Sequence, residues 1–347
     1  MSEEAKRNGG AGRHLSPRTL IDDPRYLLFD LRTGPELLFA QVTEETYRQS
    51  AFLDHRISPR PDQFFRLPLA QALAEQDQLP PPPALYIAHT SFCCSTLLAR
   101  CAQSDALLCL REPRVLGVLA NEYRRGLNEV QVDRLAEGVF RLLGKSWSAE
   151  QQVLIKATNF TNNLLHPWQR LWPRRKTLLM WGSLRDFLIS MCKHGDEAAR
   201  HLDPFLRAFL IDAGVAENQQ HQYLQLPLLR RAVWVWVLQI RLFERVLQSQ
   251  ADVRTLSASD FLQQPQAVIA RLYRWLGLAP ATVPSEAVVN AVLGHDAKIG
   301  KTAAVGDVSG GRQRIEEQFQ RDIADALQWA ADQGLPGQPS FAAQSCL

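Results

Sequence analysis

The sequence predicts an α/β fold in which helices flank a parallel sheet. From residue 84 onward, short apolar runs alternate with longer stretches of helical periodicity, which is typical of parallel strands joined by helices. One such run, Leu85–Ala88, is followed by the small polar loop 89–94, and Ser95 and Thr96 then open an apolar helical pattern. Ligands of such sheets bind at the carboxyl ends of the strands, so we expect functional residues in the loops there.

A small β-hairpin and helix appendage precedes this sheet. Two apolar runs, at 26–31 and 37–42, flank Thr33-Gly34-Pro35 and predict a strand pair joined by a turn. A helix is predicted over 43–53, and the Pro-rich spacer 79–83 marks the entry to the main domain. The predicted division is a disordered tail (1–18), the appendage (19–80), the main domain (81–338) and a flexible C-terminus (339–347).

The main domain contains the alternating elements. Its apolar runs predict strands at 85–88, 106–110, 153–155, 177–181 and 253–257. Its helical periodicity predicts helices at 96–103, 132–143, 230–248, 266–276 and 312–332. Residues 196–230 have an irregular composition, and we interpret them as a candidate lid over a binding pocket.

Composition argues against several classes of protein. The 347-residue chain is 46% hydrophobic, which supports a sizeable core and argues against global disorder. Its net charge is only +3, so the overall charge favours neither nucleic acid nor a membrane surface as a partner. The longest apolar run, 232–238, is too short to span a bilayer. We expect no nucleic-acid partner and no membrane span, whereas the oligomeric state stays open.

The six cysteines match neither a zinc-binding spacing nor a disulfide framework. They predict reduced thiols and, with them, a cytoplasmic location. Residues 1–14 are polar and lack the apolar core of a signal peptide. No metal-ligating cluster stands out in the sequence, so we expect no metal.

The loop 89–94 has the local design of an anion site. Where a strand, a tight loop and a helix start follow one another, backbone N–H groups point into the loop and the helix N-terminus adds partial positive charge. The Ser95 and Thr96 hydroxyls can donate to the same anion. The Walker A motif is absent, because residues 84–104 contain no Gly and Ser95 stands where its Lys would be. A buried turn without a ligand is the alternative interpretation.

A second candidate anion contact follows the apolar run 177–181. Arg185 stands just past the predicted strand end, and Ser190 lies five residues later in the next helix. An Arg fork and a hydroxyl can hold a phosphate from two directions. The alternative is a surface Arg paired with Asp186 and a Ser that only lies on a helix.

These two segments resemble the motifs of the sulfotransferase superfamily, which uses 3′-phosphoadenosine 5′-phosphosulfate. The first family motif, strand–[RK]-[ST]-G-[ST]-T-L, is matched at Ser95-Thr96-Leu97. Phe92, Cys93 and Cys94 replace its basic residue, its small hydroxyl and its Gly.

The second family motif, strand–R-D-P-x-x-x-x-S, is matched at Arg185, Asp186 and Ser190, with Phe187 for the Pro and one residue fewer before the Ser. Two further segments appear in the family's order: Trp172-Pro173 before the second strand, and Leu256–Leu262 followed by Pro265 and Gly277-Leu278.

The resemblance implies a P-loop NTPase-like fold of the sulfotransferase type. It also implies sulfuryl transfer from 3′-phosphoadenosine 5′-phosphosulfate, as co-substrate and without a metal, to a hydroxyl or amine of a small-molecule, carbohydrate, lipid or peptide acceptor. The implied donor-binding residues are Thr90, Ser91, Phe92, Cys93, Cys94, Ser95, Thr96, Arg185, Ser190, Lys298 and Lys301.

Such a transfer needs a base for the acceptor and a cation for the sulfuryl charge. Glu112 follows a predicted strand and resembles the Glu base of tyrosylprotein sulfotransferases; a structural pair with Arg111 or Arg114 is the alternative. Lys156 ends another predicted strand, as a Lys often does in the family, and His89 is an alternative base. Because position 92 lacks a basic residue, the candidate cations are Arg111, Arg114, Lys156 and Lys301.

Two other functions stay open at this level. A nucleotide-dependent phosphotransferase would bind ATP with magnesium, although the Walker Lys and the magnesium carboxylates are missing. A catalytically inactive nucleotide-binding or interaction protein would account for Phe92 and Cys94, and it would bind adenosine 3′,5′-bisphosphate without turnover.

Overall fold

The computed structural model describes residues 15–32, 36–74, 78–248, 252–294, 313–342 and 347. Its strands are β1 (Tyr26–Arg32), β2 (Glu36–Gln41), β3 (Phe64–Pro68), β4 (Leu85–His89), β5 (Leu107–Arg111), β6 (Gln152–Lys156), β7 (Lys176–Trp181) and β8 (Val253–Ser257). Strands β1–β3 form a small antiparallel sheet, and β4–β8 form a second sheet that is parallel throughout.

Helices separate the strands of the parallel sheet and also flank the small one. The α-helices are α1 (Pro17–Asp22), α2 (Glu44–Gln49), α3 (Leu69–Ala74), α4 (Ser95–Cys101), α5 (Arg114–Arg124), α6 (Glu129–Leu143), α7 (Leu165–Leu171), α8 (Leu184–Asp212), α9 (Glu217–Leu224), α10 (Leu228–Leu247), α11 (Ala258–Gln263), α12 (Pro265–Leu276), α13 (Glu286–Leu293) and α14 (Gln320–Asp332).

The order of the parallel sheet is β5-β6-β4-β7-β8, which puts β4 at its centre. From β4 the chain crosses to β5 on one side of the sheet. From β6 it crosses in the opposite direction, past β4, to β7. The direction of winding therefore reverses between β4 and β6, which is where sheets of this type bind ligands. The predicted α/β fold, a parallel sheet flanked by helices, is confirmed.

Both faces of the parallel sheet are buried. Leu85 and Ile87 of β4 face a core that α4, α12 and α13 complete, whereas Tyr86 and Ala88 face a larger core shared with α5–α8 and α10. This alternation is the period-two geometry of a strand, and burial on both sides explains why the strands are almost entirely apolar.

The small sheet shares the larger core, and two buried cations tie it to the main domain. Arg111, at the end of β5, donates hydrogen bonds to the carbonyls of Tyr47, Arg48 and Ser50. Lys145, just after α6, donates to the carbonyls of Leu20 and Tyr26. Buried cations need such partners, and the carbonyls of the appendage supply them.

Lys145 predicts a pH-dependent stability. Burial lowers the pKa of its ammonium from 10.5 to about 7. Between these values the unfolded chain binds the proton more tightly, so this contribution to the free energy of unfolding rises with pH. The free energy of unfolding of the parent, relative to that of Lys145→Met, should increase by roughly 1–2 kcal/mol from about pH 7 to pH 9. At pH values below about 6 this difference should change little with pH. Chemical denaturation across this range measures the difference, and a constant difference would contradict the prediction.

Several boundaries differ from the sequence-based prediction. Helix α1 begins at Pro17, inside the predicted tail, because Ser16 caps it. Helix α2 ends at Gln49 rather than at residue 53. The candidate lid, residues 196–230, is helical: residues 196–212 continue α8, which bends at Gly195, and α9 and the start of α10 follow, so its role as a lid stays a prediction. At the predicted flexible C-terminus, Phe341 is buried against Trp181.

No α-helix in the described part of the chain is long and apolar enough to cross a membrane. The cysteines at 93, 94, 101, 109 and 192 are free thiols. Residues 1–14 and the turn 33–35 lie outside the described residues.

Candidate functional site

The loop after β4 has an unusual backbone. Ser91, Phe92 and Cys94 all have positive φ, at 66°, 49° and 62°, although none of them is Gly. Such conformations are uncommon for residues with a side chain, and they cluster where a loop must curl tightly around a site. Cys94 is the N-cap of α4, which follows directly with the buried Ser95 and Thr96. The predicted strand, tight loop and helix start are therefore present.

His89 fixes this loop through hydrogen bonds of both its ring nitrogens. Its Nδ1 accepts a hydrogen bond from the Ser91 N–H at 3.0 Å, so the proton of the neutral ring lies on Nε2, which donates to the carbonyl of Ala157 at 2.9 Å. Both ring nitrogens are engaged by the backbone, and the residue is 5% exposed. This arrangement does not suit the alternative that His89 is the base, because neither nitrogen is available to an acceptor.

Thr90 joins the loop to the neighbouring strand β7. Its N–H donates to the carbonyl of Met180 at 3.1 Å, and its hydroxyl accepts from the Gly182 N–H at 3.3 Å. A Cβ at Gly182 would lie 3.8 Å from the Cβ of Cys93, so the loops after β4 and β7 pack closely together. Thr90 is fully buried, and its hydrogen bonds fix the loop to the end of β7.

Glu112 and Lys156 form an ion pair at the same edge of the sheet. They end or follow β5 and β6, and the Glu112 N–H also donates to the carbonyl of Lys156 at 2.7 Å. Lys156 is 1% exposed, whereas the Glu112 side chain keeps 18% of its surface. The sequence placed both residues at strand ends but did not predict their pairing.

Glu112 itself has a positive φ of 51°. Its Oε1 accepts from Lys156, and no described residue donates a hydrogen bond to its Oε2. A positive φ costs energy for a residue with a side chain, and Oε2 gains no hydrogen bond from a described residue in return. Folding stability alone therefore does not explain this conformation. The site can therefore accept a proton at Oε2 while Lys156 fixes the carboxylate.

The Lys156 charge reaches the loop after β4. Burial raises the pKa of the Cys93 thiol, and the ammonium of Lys156 opposes that shift. Cys93 also lies against β7, with its Sγ 3.5 Å from the carbonyl oxygen of Met180. Lys156 thus pairs with Glu112 and also acts electrostatically on Cys93 of the loop.

The other candidate cations serve different purposes. Arg111 is fully buried and points into the appendage, as described above. Arg114 pairs with Asp30 of β1, with Nε 3.2 Å from Oδ2. Neither is the partner of Glu112 that the structural alternative required. Lys298 and Lys301 lie outside the described residues.

Phe92 packs on α8 instead of supplying a cation. Its ring stacks on His194 at a centroid distance of 5.1 Å and contacts Phe187 at 5.6 Å. His194 directly precedes the bend at Gly195, so the tip of the loop and the bend of the helix are packed together. Phe92 is therefore a packing residue.

Arg185 and Ser190 both lie on α8, but not on one face of it. Five residues of an α-helix correspond to a rotation of about 140°. The Arg185 side chain is half exposed and pairs with Glu316, with its Nε 3.0 Å from Oε1. Asp186 accepts from the Ser183 hydroxyl instead of pairing with Arg185. The shared phosphate contact stays a prediction, and it would require Arg185 to leave Glu316.

Two parts of the site were not predicted from the sequence. Phe52 of the appendage lies beside the ion pair, with its ring centroid 5.9 Å from Lys156 Nζ and 3.6 Å from the guanidinium of Arg56. Asn162 contacts the start of the loop: its amide donates hydrogen bonds to the carbonyl of His89 and to Oε1 of Gln239. The Asn159–Asn163 run after β6 was a detectable signal for the second part, because it is polar in an otherwise apolar region.

Within the described residues, no group of three or more His, Cys, Asp or Glu side chains could hold a metal ion. The site consists of a tightly curled loop, buried hydroxyls, one buried cation and one partly exposed carboxylate. These groups can bind an anion and accept a proton next to it.

No protein-family model matches the chain, and no curated protein matches it. Solved structures do match, and two of them are sulfotransferases. A sulfotransferase domain from the curacin biosynthetic pathway is 14% identical with a TM-score of 0.41, and the match covers 70% of this chain and 98% of that one. A sulfotransferase from Alicyclobacillus acidocaldarius is also 14% identical, with a TM-score of 0.37 and coverages of 71% and 99%. Both of these proteins are sulfotransferases.

Proposed function

We propose that the protein is a sulfotransferase that moves a sulfuryl group from 3′-phosphoadenosine 5′-phosphosulfate to a hydroxyl or amine. The observation that carries the proposal is the Glu112–Lys156 pair beside the curled loop 90–94, at the edge where the winding of the sheet reverses. An anion-binding loop, a cation and a base within one small region are the groups that sulfuryl transfer needs.

In this proposal the loop and the start of α4 bind the anionic end of the donor. The backbone N–H groups of Phe92 and Cys94 and the hydroxyls of Ser95 and Thr96 are its ligands, whereas the Ser91 N–H is bound by His89. Lys156 stabilises the charge that develops on the sulfuryl oxygens. Burial strengthens that effect, because a charge in a water-poor environment is weakly screened.

Glu112 takes the proton from the acceptor at Oε2, and its Oε1 stays bound to Lys156. The S–O bond to the acceptor oxygen forms as the S–O bond to the donor's phosphate breaks, and the bond electrons leave with the phosphate. The proton transferred to Glu112 balances the charge of the step. His89 and Thr90 act as positioning residues for the loop, since their side chains form hydrogen bonds to backbone groups.

The acceptor would approach between the appendage and Glu112. Phe52 and the loop after β5 line this approach, and Leu53 N–H donates to the Arg111 carbonyl at 2.7 Å to hold them together. Phe52 is only 8% exposed and Arg56 covers its ring, so the partly exposed Glu112 carboxylate is the group of this region that an acceptor would contact.

Calorimetry with adenosine 3′,5′-bisphosphate tests the proposal directly. Binding of this product, together with release of it from the donor, supports sulfuryl transfer. Binding without turnover would assign the chain to inactive nucleotide-binding proteins, and binding of ATP with magnesium in its place would indicate a phosphotransferase.

The contribution of Arg185 to nucleotide selectivity is a separate prediction. If Arg185 holds the 3′-phosphate, Arg185→Ala should weaken adenosine 3′,5′-bisphosphate at least about tenfold and leave adenosine 5′-monophosphate nearly unchanged. Glu316→Gln should strengthen the binding of adenosine 3′,5′-bisphosphate, because it frees the Arg185 guanidinium from its present partner. Calorimetry with both nucleotides measures the contrast. Equal losses for the two nucleotides, or no loss for either, would remove Arg185 from the site.

A further inference from the structure

A cavity lies at the opposite edge of the parallel sheet from the candidate site. Its volume is about 390 Å³, and it is bounded by the segments that lead into β4, β6 and β7. Pockets that hold small molecules have volumes of about 300–1,000 Å³, so this cavity is large enough for a small ligand. Neither the loop 90–94 nor the Glu112–Lys156 pair lines it.

The cavity is lined by three consecutive cations and by no carboxylate. Arg174, Arg175 and Lys176 lead into β7, and all three contribute to the lining. Lys176 has one distant partner, Asp252, with 3.8 Å between Nζ and Oδ2. Within the described part of the chain, no carboxylate pairs with Arg174 or Arg175. In contrast, Arg170 on the preceding helix forms a two-point pair with Asp133.

Another part of the lining is preformed. The spacer residues Pro81 and Pro82 line it, and proline fixes the backbone φ of both. Arg141 donates to the carbonyls of Leu79 and Pro80, which holds the spacer against α6. Gly144 allows the two segments to approach closely, because a Cβ there would lie 1.9 Å from the carbonyl oxygen of Pro81. A rigid part of the lining lowers the entropic cost of binding a ligand in the cavity.

We propose that this cavity binds a small molecule that carries one or two phosphoryl groups. The guanidinium fork matches the oxygens of a phosphoryl group, and two unpaired forks with a nearby ammonium favour more than one negative charge. Apolar lining residues such as Val153 and Leu276 leave room for an organic part. The site is separate from the proposed donor site, and the proposal does not depend on sulfuryl transfer.

Calorimetric titration with inorganic pyrophosphate at low salt tests this proposal. The parent should bind pyrophosphate, and the Arg174→Ala/Arg175→Ala double variant should bind it at least about tenfold more weakly or lose one binding event. The control double variant Arg200→Ala/Arg207→Ala removes two exposed arginines of α8 and the same net charge. It should behave like the parent.

A second variant leaves all three cations in place. Ala149 lines the cavity from an exposed position, so Ala149→Glu adds a carboxylate without disturbing the core. It should weaken pyrophosphate binding by repulsion and by pairing with the arginines. The proposal is overturned if the parent does not bind pyrophosphate. It is also overturned if the arginine variant binds as the parent does, or if both double variants lose affinity equally.

Discussion

Replacing Glu112 with Gln is expected to reduce turnover by about 10²–10⁴-fold, because the amide keeps the size of the side chain but cannot accept the proton. Affinity for adenosine 3′,5′-bisphosphate should stay near that of the parent, since Lys156 and the loop remain. Release of this nucleotide from the donor measures turnover, with water as the acceptor until a natural acceptor is known.

The matched control is Glu122→Gln. Glu122 lies on α5 and pairs with Arg125 at the surface, so the same chemical change there should leave turnover and affinity unchanged. Undiminished turnover of the Glu112→Gln protein would mean that Glu112 is not the base. A parallel loss of nucleotide affinity would instead assign it a role in binding.

Replacing Lys156 with Met is expected to have effects on both activity and stability. Loss of one preorganised charge at the reacting group costs about 10²–10³-fold in rate. The substitution also leaves Glu112 as a partly buried carboxylate without its partner. Breaking a buried pair in this way costs several kcal/mol, and we expect about 2–4 kcal/mol because Glu112 keeps some exposure to water.

A double-mutant cycle separates the two effects of this substitution. Adding Glu112→Gln to Lys156→Met removes the unpaired charge, so denaturant unfolding should recover part of the lost stability while turnover stays low. Arg134→Met on α6 removes an exposed cation and serves as the control. If Lys156→Met keeps the parent's turnover, Lys156 is not the cation of the site.

The sequence by itself was sufficient for the architecture of the main domain. All five parallel strands were predicted within one or two residues of their ends, because strands buried on both faces are short continuous apolar runs bounded by polar loops. The same reasoning predicted the β1–β2 pair. It missed β3, α5 and most of α8.

The location of the candidate site also followed from the sequence. Strand ends of a parallel sheet meet at one edge, so His89, Glu112, Lys156 and Arg185 were expected in one region before any contact was known. What each residue does there could not be predicted in the same way. A side chain's partner depends on elements distant in the chain, and single-sequence patterns carry no record of them.

The tertiary structure decided those partners. It pairs Lys156 with Glu112, 44 positions earlier in the chain, and Arg185 with Glu316, 131 positions later. It directs Arg111 into the appendage and binds both nitrogens of His89 to the backbone. Local periodicity reports which face of a strand or helix is buried, and it therefore predicted the fold. Ion pairs and hydrogen bonds across the chain depend on how the elements pack, and only the folded structure contains that information.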